Sequence, residues 1–306
     1  MMPTRRAKLL AYGRLIKPRS QAASLCTLVA MSLACERYQD PRYWAVMLAF
    51  LLFNFFGGSL TVVLDDIMGY RDGSDRQEVV LALKRNISKP LLTGDLTLAD
   101  ARRAALALVV LEVILLAVLA LLADRPWLAL FFLGALVGLV PQYSFGLKLS
   151  YCGLGEALIA SAAAACVVLP YWLLEDTVTG RVLLSGVLVG IPYAAHLVIA
   201  NVIDYANDRA AGRRTVPVFI GVPRSPYVSA ALLALFWVLY TLGMVSGTLP
   251  WTALLWLPLF ASHVRFVVLA LRGDPARARL LSFVNFHLVF LLFSAAYVLA
   301  AVGGPR

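Results

Sequence analysis

Nine apolar runs, each near the length of a membrane-crossing helix, dominate the chain: 21–35, 43–64, 104–122, 126–142, 154–174, 182–203, 227–246, 250–271 and 280–302. A bilayer core needs about 20 apolar residues per spanning helix, and inside it every backbone N–H and C=O must find its partner within the segment. The sequence therefore predicts a single multi-span membrane domain, 1–306, of the all-α integral membrane class. Composition agrees, with 61% hydrophobic and only 14% charged residues in 306 and a mean hydropathy of +0.82. Because the first run is short and the fourth opens at Pro126, the expected count is about nine.

A net charge of +10 invites a nucleic-acid reading, but the basic residues follow loop parity and form no single stripe. With the N-terminus and every second loop on one side, 21 of the 27 Lys and Arg fall there, five fall on the other side and Arg265 lies within a span. By the positive-inside rule the segment 1–19 and the long loops are cytoplasmic and the C-terminus is outside, in a protein of the cell membrane with lipid as its partner and no nucleic acid. Ser32-Leu33-Ala34-Cys35 resembles a signal-peptide cleavage site, yet the 19-residue lead is long and removing the run would break the parity. Cys26, Cys35, Cys152 and Cys166 show neither disulfide-framework nor metal-ligand spacing.

The connections on the outer side are short, so chemistry is expected on the inner side, in loops 65–103 and 204–226. The first opens with Asp65, Asp66, Asp72 and Asp75, and Lys84, Arg85 and Lys89 follow; the second opens with Asp204 and Asp208, and Arg209, Arg213 and Arg214 follow. The recurrence, four spans apart, suggests two four-helix units plus one extra helix. On a helix Asp65 and Asp72 fall within about 20° of each other, and Asp204 and Asp208 within about 40°. Carboxylates beside an apolar span are costly unless paired, hydrated or bound to a cation. Two facing pairs of hard oxygen ligands suit Mg2+ that also holds a phosphate, so Asp65, Asp66, Asp72, Asp204 and Asp208 are the candidate metal ligands. Lys84, Arg85, Lys89, Lys148 and Arg213 complement them as cations for a departing diphosphate; the bland alternative is that each is merely topogenic. Asn201, one turn before Asp204, is the best placed of the intramembrane polar residues. Asn54, Glu112, His196, His263, Arg265, Asn285 and His287 line an acceptor pocket or hydrogen-bond between helices, with the structural role favoured for Glu112 and the histidines.

These segments resemble the UbiA superfamily of intramembrane prenyltransferases. Asp204-Tyr205-Ala206-Asn207-Asp208 with Gly212 and Thr215-Val216-Pro217 resembles its second aspartate motif and tail, Lys89-Pro90-Leu91-Leu92-Thr93-Gly94 its basic-Pro-Leu segment, and Tyr143 to Lys148 with Gly153-Leu154-Gly155-Glu156 the loop after span four. The first motif departs from the pattern: Asp65 stands where Asn is usual and Gly69 where a further Asp is usual, leaving Asp72 to supply the missing oxygen. The resemblance implies a UbiA-type bundle that binds an isoprenyl diphosphate through Mg2+, ionises it and passes the allylic cation to an aromatic acceptor, with Lys148, Asn201 and Tyr143 catalytic. Aromatic-rich spans such as Phe50 to Phe56 would exclude water and shield the cation. Two alternatives stay open: a terpene cyclase of the same fold, in which the substrate's own double bonds capture the cation, and a transporter or channel, whose polar groups would instead gather at mid-membrane.

Overall fold

The computed structural model describes residues 5–18, 22–73 and 89–303. Among them the helices run α1 (Arg5–Leu15), α2 (Cys26–Leu33), α3 (Pro41–Asp72), α4 (Pro90–Thr93), α5 (Leu98–Leu122), α6 (Pro126–Leu139), α7 (Gly155–Glu175), α8 (Gly180–Ile203), α9 (Tyr205–Ala210), α10 (Val216–Ile220), α11 (Ser225–Val245), α12 (Leu257–Leu271) and α13 (Pro275–Gly303), with no strand. Eight helical segments of the described residues are long and apolar enough to cross a membrane. The ninth expected span, 21–35, is broken into a 3-10 turn at Ala22–Leu25, the eight-residue α2 and a second 3-10 turn at Cys35–Arg37. Ser32, whose hydroxyl donates to the Val29 carbonyl, and non-helical Ala34 mark the break. Cys26, Val29 and Ala30 are fully buried, so α2 is an interior element despite its length.

Local sequence explains where the long helices start and stop. Asp40 caps α3 by accepting from the Arg42 amide, Pro41 follows at the first turn, and Gly73 ends the helix at φ 81°, a conformation that favours glycine. The helix thus continues about two turns past the apolar run that ends near residue 64, and carries Asp65, Asp66 and Asp72 on regular helix. At the other side of the loop, Thr97 and Asp100 form a reciprocal capping box that starts α5 at Leu98. The expected loop 65–103 is accordingly helical at both ends.

The apolar surface is divided between lipid and core. Leu106, Val110, Val113 and Leu121 of α5, and Leu235, Val238 and Leu242 of α11, face outward as exposed side chains, as a lipid solvent allows. The main core joins α2, α3, α7, α8, α11 and α13 around Phe50, Phe53, Phe236, Phe290 and Phe293. Two satellite cores sit beneath the aspartates: Leu15, Val63, Ile67, Leu91 and Leu108 in the first half, and Ala195, Ile199, Leu233, Phe266 and Ala278 in the second. At the opposite end, Arg37 pairs with Glu175, Arg42 with Asp124 and Arg125 with Asp176.

Helices α7 and α8 approach through small residues. A Cβ on Gly190 would lie 2.6 Å from the Ala160 carbonyl oxygen, and one on Gly186 would lie 3.0 Å from that of Ala164. Two small-xxx-small faces therefore meet, which is how helices lacking a hydrophobic drive to associate gain contact in lipid. Gly190→Val would force the helices apart and is expected to cost about 1–3 kcal/mol; a thermal melt in detergent checks this, and an unchanged midpoint would contradict the packing.

Candidate active site

The end of α3 and the α8–α9 junction meet at one end of the bundle. Arg213 Nη2 donates to Asp65 Oδ1 at 3.0 Å, and the Ser144 hydroxyl donates to the same oxygen. Asp72, two turns on and on the same face of α3, accepts from the Tyr151 hydroxyl at 2.7 Å. Both hydroxyls come from the connection between α6 and α7. Asp66 lies about 100° round the helix from Asp65 and has different partners: Lys17 Nζ at 2.7 Å and Lys89 Nζ at 3.5 Å. It is buried, and its Oδ2 has no hydrogen-bond partner.

In the second cluster, the Thr215 hydroxyl donates to Asp208 Oδ2 at 3.2 Å. Burial pushes the Asp208 carboxyl up to about 7; neighbouring Asp204 and Asp65 push the same way, against Arg213 and Thr215. A buried acid crowded by like charges gains from an added cation. Burial works against the Arg213 guanidinium, but Asp65, Tyr151 and Asp208 more than offset it and hold the group firmly charged. Among the described residues no three His, Cys, Asp or Glu side chains converge as a ready-made metal cage; Asp65, Asp66, Asp72 and Asp208 are each met by a hydroxyl or a cation. Such a spread still suits Mg2+, which is typically held by one or two carboxylates together with substrate phosphates and water.

Glu156, at the start of α7, organises the second cluster from behind. It is buried, and its Oε1 accepts from Asn201 Nδ2 at 2.8 Å and from the Val216 amide at 2.8 Å. One carboxylate thereby ties α7, α8 and α10 together, and the Asn201 amide nitrogen is committed to it. Tyr143 packs against Gly155, where a Cβ would lie 2.8 Å from Cε2. Lys148, in the left-handed region at φ 50°, brings Nζ to 5.0 Å from the Tyr151 ring centroid. Lys84, Arg85 and Asp75 lie outside the described residues.

Residues 23–302 match the UbiA prenyltransferase family. The chain belongs to that family. Its fold is similar to the apo structure of a UbiA homolog from Aeropyrum pernix K1, with a TM-score of 0.70 and 17% identity over 93% of this chain and 99% of that one. It is also similar to structures of a UbiA homolog from Archaeoglobus fulgidus bound to GPP and Mg2+ (TM-score 0.59, 17% identity) and to DMAPP and Mg2+ (TM-score 0.59, 16% identity), each covering 96% of this chain and 99% of that one. No curated protein matches the sequence.

Within this UbiA bundle most of the intramembrane polar residues bond across helices. His196 Nδ1 lies 2.7 Å from Ser282 Oγ, Trp237 Nε1 donates to His263 Nδ1 at 3.2 Å, Ser262 donates to Asn285 Oδ1, and Cys166 Sγ lies 3.4 Å from Asn54 Oδ1. Glu112 fills the notch left by Gly57 on α3. For His196 and His263 these contacts are those of the structural role expected of them, while the sequence leaves both roles open for Asn54 and Asn285.

Sequence reasoning missed Lys17, Ser144, Tyr151 and Thr215, and missed the role of Glu156. Lys17 is one of six basic residues in the N-terminal segment, and nothing in its spacing separates it from the other five. Three-dimensional docking does: Lys8 pairs with Asp100 at 2.8 Å and Arg14 with Asp95 at 2.9 Å, laying α1 across the start of α5 so that Lys17 reaches Asp66. If Lys17 shares the anion site, Lys17→Ala is expected to raise the KM for a prenyl diphosphate by about five- to tenfold, with Lys17→Arg near wild type. Initial rates over substrate concentration check this, and an unchanged KM in Lys17→Ala would confine Lys17 to membrane topology.

Proposed function

We propose that this UbiA-family protein is a magnesium-dependent intramembrane prenyltransferase that ionises an isoprenyl diphosphate and transfers the prenyl group to an aromatic acceptor, releasing diphosphate. The observation that carries it is the meeting of two aspartate clusters from α3 and α8–α9, with Lys17, Lys89, Lys148 and Arg213 around them. The fold likeness to a homolog bound to GPP and Mg2+ supports the same assignment.

Asp65, Asp66, Asp72, Asp204 and Asp208 would hold Mg2+. The bound ion would neutralise charge on the diphosphate and lower the cost of its departure. Lys148 and Arg213, with Lys89, Lys84 and Arg85, would bind the diphosphate and meet the negative charge that grows as the bond from the prenyl C1 to oxygen breaks and its electron pair leaves with oxygen. The acceptor ring then supplies the pair for the new carbon–carbon bond and releases a proton. Asn201, through Glu156, keeps Asp204 and Asp208 in place; Tyr143, wedged at Gly155, sits beside Asp65 and Asp208. The buried phenyl rings of Phe50 and Phe53 on α3 exclude water from the interior. By the charge bias the acids open to the cytoplasm, with the C-terminus outside.

The test is to incubate membranes containing the protein with Mg2+, a series of isoprenyl diphosphates, and aromatic acids or quinone precursors, and to identify the lipid-soluble products by mass. A product containing both prenyl group and acceptor is expected. A cyclic prenyl-derived hydrocarbon or alcohol formed equally well without acceptor would contradict transfer and identify a cyclase, and no consumption of any diphosphate would contradict both.

A further inference from the structure

We infer that Tyr151 is a positioning residue that holds Lys148 and Arg213 toward the diphosphate without placing a further acid against them; this rests on the prenyltransferase reading above. Two cations from separate loops converge on one ring, with Lys148 Nζ 5.0 Å and Arg213 Cζ 5.5 Å from its centroid. Both distances lie inside the range of about 6 Å at which the negative face of an aromatic ring attracts a cation. The ring is anchored at its far end, where its hydroxyl donates to Asp72 Oδ2 at 2.7 Å. Its backbone is anchored as well: the Tyr151 amide donates to the Lys148 carbonyl at 2.8 Å, and the Arg214 amide donates to the Ser150 carbonyl at 3.1 Å. The loop bearing Lys148 and the loop bearing Arg213 are thereby fixed side by side around a partly exposed tyrosine.

An aromatic ring suits this position better than a carboxylate. Arg213 already shares the Asp65 carboxylate, and a second acid placed beside Lys148 would cancel the field that this lysine offers the substrate. A ring quadrupole attracts each cation by only about 0.5–2 kcal/mol and leaves its full formal charge. Lys148 accordingly makes no ion pair among the described residues, and it is held in the left-handed region, a conformation disfavoured for a residue with a side chain. Asp72 also gains a purpose. It lies one turn beyond Gly69, where the first motif departs from the family pattern, and through Tyr151 it is linked to the same two cations.

Two variants separate positioning from simple packing. Tyr151→Phe keeps the ring faces and loses the hydroxyl's bonds to Asp72 and Arg213; Tyr151→Leu loses the ring as well. Binding of inorganic diphosphate with Mg2+ to the full-length protein in detergent is measured by calorimetry, alongside KM and kcat for a prenyl diphosphate. Loss of about 10-fold in diphosphate affinity and a matching rise in KM are expected for Tyr151→Leu, with Tyr151→Phe within about threefold of wild type. Unchanged affinity and KM in Tyr151→Leu, whether or not kcat falls, would overturn the inference, as would equal damage in Tyr151→Phe. If wild type turns over substrate and binds diphosphate while Tyr151→Leu does so equally well, only the tyrosine's role fails. If wild type does neither, the prenyltransferase reading fails and takes the inference with it.

Discussion

Replacing Asp208 by Asn is expected to lower turnover by at least about 100-fold, the scale seen when a preorganised charge partner is removed from a reacting group, and to leave the fold intact. Burial and the charges of Asp204 and Asp65 all work against the ionised form of Asp208, so a neutral amide of the same shape burdens the native state no more than the carboxylate does. Asp204→Asn should behave alike, and residual activity in either variant should need more Mg2+. Steady-state rates over a Mg2+ titration, with a thermal melt in detergent, check both halves; full activity at wild-type Mg2+ would refute the ligand role. In the first cluster, Asp72→Asn should be as damaging as Asp65→Asn if Asp72 has taken over from the position held by Gly69.

The second large effect is expected at Arg213. Its guanidinium pairs with Asp65 at 3.0 Å, lies over Tyr151, and is largely buried. Removing one partner of a fully buried pair costs about 3–5 kcal/mol, but the Asp65 side chain keeps 34% exposure, so the loss in Arg213→Ala should be nearer 1–3 kcal/mol, roughly, after solvent screening. Activity should fall further than stability, because the same cation is proposed to meet the leaving group. The double variant Asp65→Asn/Arg213→Ala should recover stability relative to Arg213→Ala and recover no activity. Chemical denaturation and rate measurements on the three variants check this; restored turnover in the double variant would show that Arg213 serves only to neutralise Asp65.

The features legible in the sequence were those set by local chemistry. Apolar run length determines where lipid is crossed, and it placed all of the eight long apolar helices among the described residues. The facial pairing of Asp65 with Asp72 follows from helix periodicity alone, and both do turn toward the connection after α6. The division of α2 was not legible, because hydropathy cannot distinguish a spanning run from one interrupted by Ser32 and Ala34. Asp66 lies about 100° round the helix from Asp65, and its meeting with Lys17 and Lys89 depends on tertiary docking that helix periodicity does not show. Lys17 and Tyr151 reach the site by tertiary docking across 49 and 79 positions, which one sequence does not encode in any spacing. Glu156 carried a faint signal, an acid opening an apolar span, where a buried charge demands a partner.

The central claim is that the two aspartate clusters act as one magnesium-dependent diphosphate site. The most direct measurement is release of inorganic diphosphate from an isoprenyl diphosphate by purified protein in lipid vesicles, with wild type compared with Asp204→Asn and Asp208→Asn. Release that requires Mg2+, stops when the ion is chelated and is lost in both variants is the expected result. Release that survives chelation, or that proceeds equally in the variants, would contradict the claim.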